Sequence, residues 1–300
     1  MNSKQSDPRK HHYVPEFYLR WWAGADGKLE RYTRPIPGKI MVKRVFPSEA
    51  GFERDLYRVP GVEDDPMWLE TRILQRIDDL AARVLTKLNA PEPAQLSAED
   101  QSSWSVFVRS LFYRTPETLR AVKASGEQDW RGAIEEFRVR YPSLRRPTDP
   151  ENFDDYVASH SREDIERSVM GVLPTVFTSQ RVGQFLNDLH KRVIDTPPTV
   201  PTFLVSDDVV ARTNGMMKAD GHYAVPLGPR RLLVAAYNRE TLDTIVGLGE
   251  RQLVTSVNRW IVEGARHFVA GVDRSQDRFI RNRFGIDPKP PVSQRRGGFV

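Results

Sequence analysis

The sequence predicts a single α+β domain, predominantly helical, with a small antiparallel sheet formed by N-terminal strands and by strands near 202–210 and 231–237. Three observations lead there. The stretch after Pro66 carries Leu69, Ile73, Ile77, Leu80, Val84 and Leu88 at helical spacing. Short runs rich in β-formers, at 28–32, 40–46 and 56–59, sit between Pro and Gly breaks. The 300 residues include no cysteine, and a chain of that length buries a substantial core without disulfide or thiolate-metal staples.

In chain order, residues 1–10 lack the apolar centre of a secretory signal and read as a disordered leader. Residues 11–284 form the domain, and 285–300 a basic tail rich in Pro and Gly. Pro15 opens a short aromatic helix that closes before Gly24, and Asp26-Gly27 is a turn signal. Asp65-Pro66 reads as the N-cap and first-turn proline of a long helix reaching Leu88. Ser97 or Asp100 caps the next helix, which presents Trp104, Phe107, Val108, Leu111 and Phe112 on one face and stops before Pro116. Thr115-Pro116-Glu117 starts another that continues through 130–141, and Pro142, Pro147 and Pro150 then break the chain. Residues 163–194 read as helix, kinked or divided where Pro174 falls. The 202–210 and 231–237 strands are expected to pair with each other, followed by helices over 248–269 and 275–283.

The net charge is +5 and the pI about 9.4, mild for this length, with the excess concentrated late. From Arg266 on, Arg274, Arg278, Arg281, Arg283, Lys289, Arg295 and Arg296 outnumber Asp273, Asp277 and Asp287. Such a stripe suits nucleic-acid phosphates, or is simply a solvated helix with a loose tail. No apolar run approaches the roughly 20 residues of a membrane span, so no membrane partner is expected, and a cysteine-free chain fits the cytoplasm. The absence of a His-Glu-x-x-His, a P-loop, a Gly-x-Ser-x-Gly or a dinucleotide fingerprint argues against the commonest hydrolase, nucleotide-binding and dehydrogenase classes.

Several polar residues fall where a core is expected. At about 100° per residue, Glu70 projects into the apolar arc of the helix after Pro66. A carboxylate there needs a cation, a metal or donors, unless it is an ordinary first-turn acid. Asn258 falls inside the arc of Leu253, Val254, Val257 and Ile261, where it holds either a backbone segment or a ligand. Arg114 is placed to reach a carboxylate such as Glu70 or Asp207, or a phosphate. His11 and His12 point to opposite sides of an extended chain, so one of them at most faces a given site; either suits acid–base or metal chemistry, or a structural role. Ser206-Asp207-Asp208 ends a strand, a position that presents acids to a cation or merely forms a turn.

The run His11-His12-Tyr13-Val14-Pro15 with Phe17-Tyr18-Leu19-Arg20 resembles the opening motif of the bacterial family called domain of unknown function 4238. Arg114-Thr115-Pro116, Ser206-Asp207-Asp208, Pro226-Leu227 and Asn258 are similar, in order, to its later elements, so the resemblance spans about residues 11–270. Val209 stands where the family usually carries proline. The resemblance implies a set of positions, Tyr18, Arg20, Ser206 and Asn258 among them as binding candidates, and no reaction.

The leading expectation is a nucleic-acid-directed hydrolase, a metal-assisted phosphodiesterase or nuclease. His11 or His12, Glu70 and Asp207 gather around water or a divalent cation, Mg or Mn, with His12, Glu70 and Asp207 as ligands. Arg114 holds the phosphate and Asn258 orients the ligand. The alternative is a non-catalytic module or a nucleotide or small-ligand sensor, in which the same residues form a structural polar network and Trp21 and Trp22 anchor a protein partner. Such an enzyme requires His12, Glu70, Arg114 and Asp207 to converge in one solvent-accessible pocket.

Overall fold

The motif at the N-terminus is strand before it is helix. In the computed structural model, which describes residues 9–62, 64–92, 95–159, 162–213 and 215–291, β1 (Lys10–His12) precedes α1 (Glu16–Leu19) and a 3-10 turn at Arg20–Trp22. The expected leader up to residue 8 and the tail from 292 lie outside the described residues. The hairpin of β2 (Leu29–Ile36) and β3 (Lys39–Val45) follows the Asp26-Gly27 turn as expected. The third predicted strand is displaced: β4 is Phe52–Arg54, pairing with β1 so that His11 sits opposite Glu53, while 56–59 is loop. Gly51, at φ +65°, turns its carbonyl to accept Tyr13 N–H at 2.8 Å and Val14 N–H at 3.1 Å. A side chain at 51 would meet Val14 Cβ at 3.0 Å, so a glycine joins the motif to the sheet.

The helix after Pro66 opens as a π-helical segment, Leu69–Leu74, and continues as α2 (Gln75–Leu88). Asp65 does not cap it through its carboxylate, which pairs with Arg72 at 2.6 Å. The Ser97 prediction holds: its hydroxyl accepts Asp100 N–H, the Asp100 carboxylate returns to Ser97 N–H, and α3 (Ala98–Tyr113) follows. Thr115 caps α4 (Pro116–Leu144), one continuous helix with Pro142 in its last turn. After α5 (Phe153–Ser159), the expected helix over 163–194 is three elements. These are α6 (Arg162–Thr178), which carries Pro174 internally, α7 (Gln180–Asp188) and β5 (His190–Asp195). The break falls at Ser179, and β-branched Val193 and Ile194 pair in a sheet.

The two later strands do not pair with each other. β6 (Val205–Ser206) lies beside a C-terminal strand, while β7 (Ala211–Arg212), β8 (His222–Gly228) and β9 (Arg231–Ala236) build a sheet in the order β5-β9-β8-β7. After α8 (Arg239–Val246), the last long helix, α9 (Glu250–Gly264), stops short of the predicted 269. Phe268–Gly271 is instead β10, inserted between β2 and β6, and α10 (Asp277–Arg281) follows. The chain is thus α+β with several small antiparallel sheets in place of one. One apolar cluster joins the motif, α2, α3, α6 and α7; a second lies between α9 and the strands. Trp22 links these regions, its indole N–H donating to Phe203 O at 2.8 Å. Among the described residues no helix is long and apolar enough to cross a membrane.

Candidate functional site

The motif residues are buried mainly to hold backbone. His11 is fully buried and stacked on the Tyr57 ring at 5.3 Å; its Nδ1 accepts Tyr57 N–H at 2.8 Å, which leaves the neutral ring's proton on Nε2 and no lone pair for proton transfer. Tyr18 is buried and donates its hydroxyl hydrogen to Pro226 O. Ser206 donates to Ile261 O at 2.8 Å and accepts Asp208 N–H at 3.0 Å. Asn258 accepts Leu204 N–H at 2.9 Å and donates to Thr202 O and Gln276 Oε1. Asp207 accepts the N–H groups of Arg266, His267 and Phe268 at 2.9, 3.1 and 3.1 Å; burial pushes its carboxyl pKa up against the pull of His267 and those amides. Arg20 is exposed and pairs with Glu16 at 2.8 Å. These partners satisfy Asn258 and Asp207 within the fold, on backbone groups of distant segments.

Among the described residues the expected set of metal ligands does not form. His12 lies against Phe52 with Nε2 3.3 Å from Ser48 O, its pKa lowered by burial and by Lys10. Glu70 belongs to the α2 side, and Asp207 is closed in its amide nest. Among the described residues no group of three His, Asp or Glu side chains could hold a metal ion, so His12, Glu70 and Asp207 are not brought together as ligands. Arg114 is sealed from solvent at 1% exposure and reaches carboxylates, not a phosphate in solution.

Two of the sequence candidates do meet. Glu70, in the π-helical segment, and Arg114, at the C-terminal end of α3, face each other electrostatically together with Asp78 of α2. Arg114 Nη1 stands 2.7 Å from Asp78 Oδ1 as an ion pair. Arg114 Nε and Nη2 and Glu70 Oε2 are buried without a hydrogen-bond partner. Tyr57 hydroxyl donates to Arg114 O at 3.0 Å, tying this group to His11. Burial pushes the Glu70 pKa up to about 7, with Arg114 pulling down and Asp78 pushing up. Asp78 rises to about 6, again through burial, with Arg114 opposing. Two half-buried carboxylates with separated pKa values around one guanidinium form an acid–base set, and π-helical turns recur at functional sites.

Asp78 was not singled out by sequence, although it projects to the edge of the same apolar arc as Glu70. A second pair left no local trace. His267 Nε2 donates to Glu117 Oε1 at 2.7 Å across 150 residues, beneath the Tyr13 ring at 5.6 Å. The Glu117 contact raises the His267 pKa, and the Glu117 pKa is lowered by His267 in spite of burial.

A family model described as "Protein of unknown function (DUF4238)" matches residues 10–275. No curated protein and no solved structure matches the chain.

Proposed function

The chain belongs to the DUF4238 family, and from that premise we propose that it is a nucleic-acid-directed hydrolase working through the Glu70–Asp78 carboxylate pair. The observation that carries this reading is Glu70: an unpartnered buried oxygen and a pKa of about 7, in a π-helical turn beside a sealed arginine. Asp78, held ionised by Arg114, acts as the base that takes a proton from water. That water attacks phosphorus, the phosphorus–oxygen ester bond breaks, and protonated Glu70 supplies the proton to the leaving oxygen. Arg114 is a positioning residue. From its sealed position its guanidinium favours the charged form of both carboxylates, and this route draws on no metal ion. Nucleic acid is the partner we favour because of the basic balance of the chain, and the cytoplasm is the compartment that fits its lack of cysteine.

One observation favours a second reading, a non-catalytic module with a protein or small-ligand partner: the motif's polar atoms are spent on backbone. Incubation with labelled single- and double-stranded DNA and RNA, in magnesium, manganese or chelator, separates the two. Cleavage that persists in chelator and falls by about 10²–10⁴-fold in Glu70→Gln and in Asp78→Asn, with His12→Ala unaffected, supports the hydrolase. Metal-dependent cleavage lost in His12→Ala and kept in Glu70→Gln overturns it. Intact binding with no cleavage under any condition establishes the module instead.

A further inference from the structure

A separate feature lies along the outer face of α9 and across α10. Two adjoining clefts, of about 840 and 520 Å³, share Thr255. Arg251 and Arg259 line the first, Arg278 and Arg283 the second. Arg251, Arg259 and Arg278 are exposed. Arg251 and Arg259 stand two turns apart on one flank of α9, a rise of about 12 Å, comparable to three or four phosphates of one strand at about 3.4 Å each. Arg251 touches only a backbone carbonyl, Thr199 O at 3.0 Å, and Arg259 and Arg283 come no closer than 3.7 Å to their shared acid, Glu263. Glu250 is the one carboxylate in the walls of these two clefts. The adjacent Asp277 is neutralised by Arg274 and Arg281. Loosely paired guanidinium groups in a line, on walls that carry Thr, Ser, Gln and Asn beside Val200, Pro201, Val254 and Phe279, match a repeating anion.

We propose that this groove binds the phosphodiester backbone of a nucleic-acid strand through Arg251, Arg259, Arg278 and Arg283. Binding here is independent of turnover at Glu70, so it is measured on the Glu70→Gln protein in chelator, where both the proposed metal-free route and any metal-dependent cleavage are silenced and the strand stays intact. Fluorescence anisotropy with labelled 20-nucleotide DNA and RNA, single-stranded and duplex, at low and moderate salt, compares that protein with one also carrying Arg251→Glu, Arg259→Glu and Arg278→Glu. All three side chains are exposed, and circular dichroism checks that the fold survives. The triple reversal is expected to weaken binding at least tenfold and to flatten the salt dependence of log K by about 2 to 3. Reversal of Arg140 and Arg146, exposed at the far end of α4 and in the turn after it, is expected to leave affinity within twofold. Equal loss in that control, unchanged affinity in the triple variant, or equal affinity for heparin of matched charge overturns the assignment.

Discussion

Glu70 carries the largest consequence held by one side chain. A carboxyl that binds its proton more tightly folded than unfolded favours the folded state only while protonated. Its raised value, about 7 against an ordinary 4.5, therefore makes stability fall as pH rises across that window, and Asp78 adds the same sign between 3.8 and about 6. Glu70→Gln is expected to be more stable than the wild type at pH 8, on the order of 1–3 kcal/mol, with the gain vanishing near pH 4.5; thermal melts across that range measure it, and a pH-independent difference would contradict it. In the Glu117–His267 pair the two partners have opposite signs, His267 sharing that of Glu70. Its contribution from His267 is complete below the ordinary 6.5 and is lost as pH rises through the raised folded value; that from Glu117 is lost as pH falls through its lowered one. Glu117→Gln should bring the His267 titration, followed by NMR, down toward its ordinary value. Glu70 was legible because helical phase exposes an acid among leucines. The Glu117–His267 pair was not, since a first-turn acid looks ordinary and its histidine is 150 residues away.

Helix ends carried strong local signals and short strands weak ones. Ser97 with Asp100, and Thr115 before Pro116, declare their caps in the sequence. β5, mostly polar around Val193 and Ile194, and β10, a four-residue apolar run, follow closely on helices and are too short for their period to distinguish strand from helix, so the sequence reads β5 and the start of β10 as helix. β8 carries Pro226, which obscured a strand that the sheet tolerates beside the register shift between Pro226 and Gly228. What fixes β10 is long-range: the Asp207 carboxylate gathers the three amides at its entrance. Asp207→Asn keeps the size but replaces one acceptor oxygen with an NH2 facing amide donors. It is expected to destabilise the protein by about 2 kcal/mol or more, read from chemical denaturation; a loss below about 0.5 kcal/mol would show that the nest is not what holds the strand.

Over the whole molecule, the sheet order β3-β2-β10-β6 stitches the N-terminal hairpin to strands from the last third of the chain, and Trp22 crosses to Phe203. That topology predicts one cooperative unfolding transition, with far-ultraviolet circular dichroism and tryptophan fluorescence coinciding; two separated transitions would divide the chain into independent units. The same wiring explains why the family motif, dispersed from residue 11 to 258, looked like a site: most of its polar atoms hold distant backbone segments together, and only Arg114 joins Glu70. The most direct measurement of the proposed chemistry is the rate of strand cleavage in chelator as a function of pH. A base near 6 and an acid near 7 predict a bell-shaped profile with its maximum between those values, abolished in Glu70→Gln. A profile that is flat across this range, or cleavage that needs added metal and survives Glu70→Gln, would contradict it.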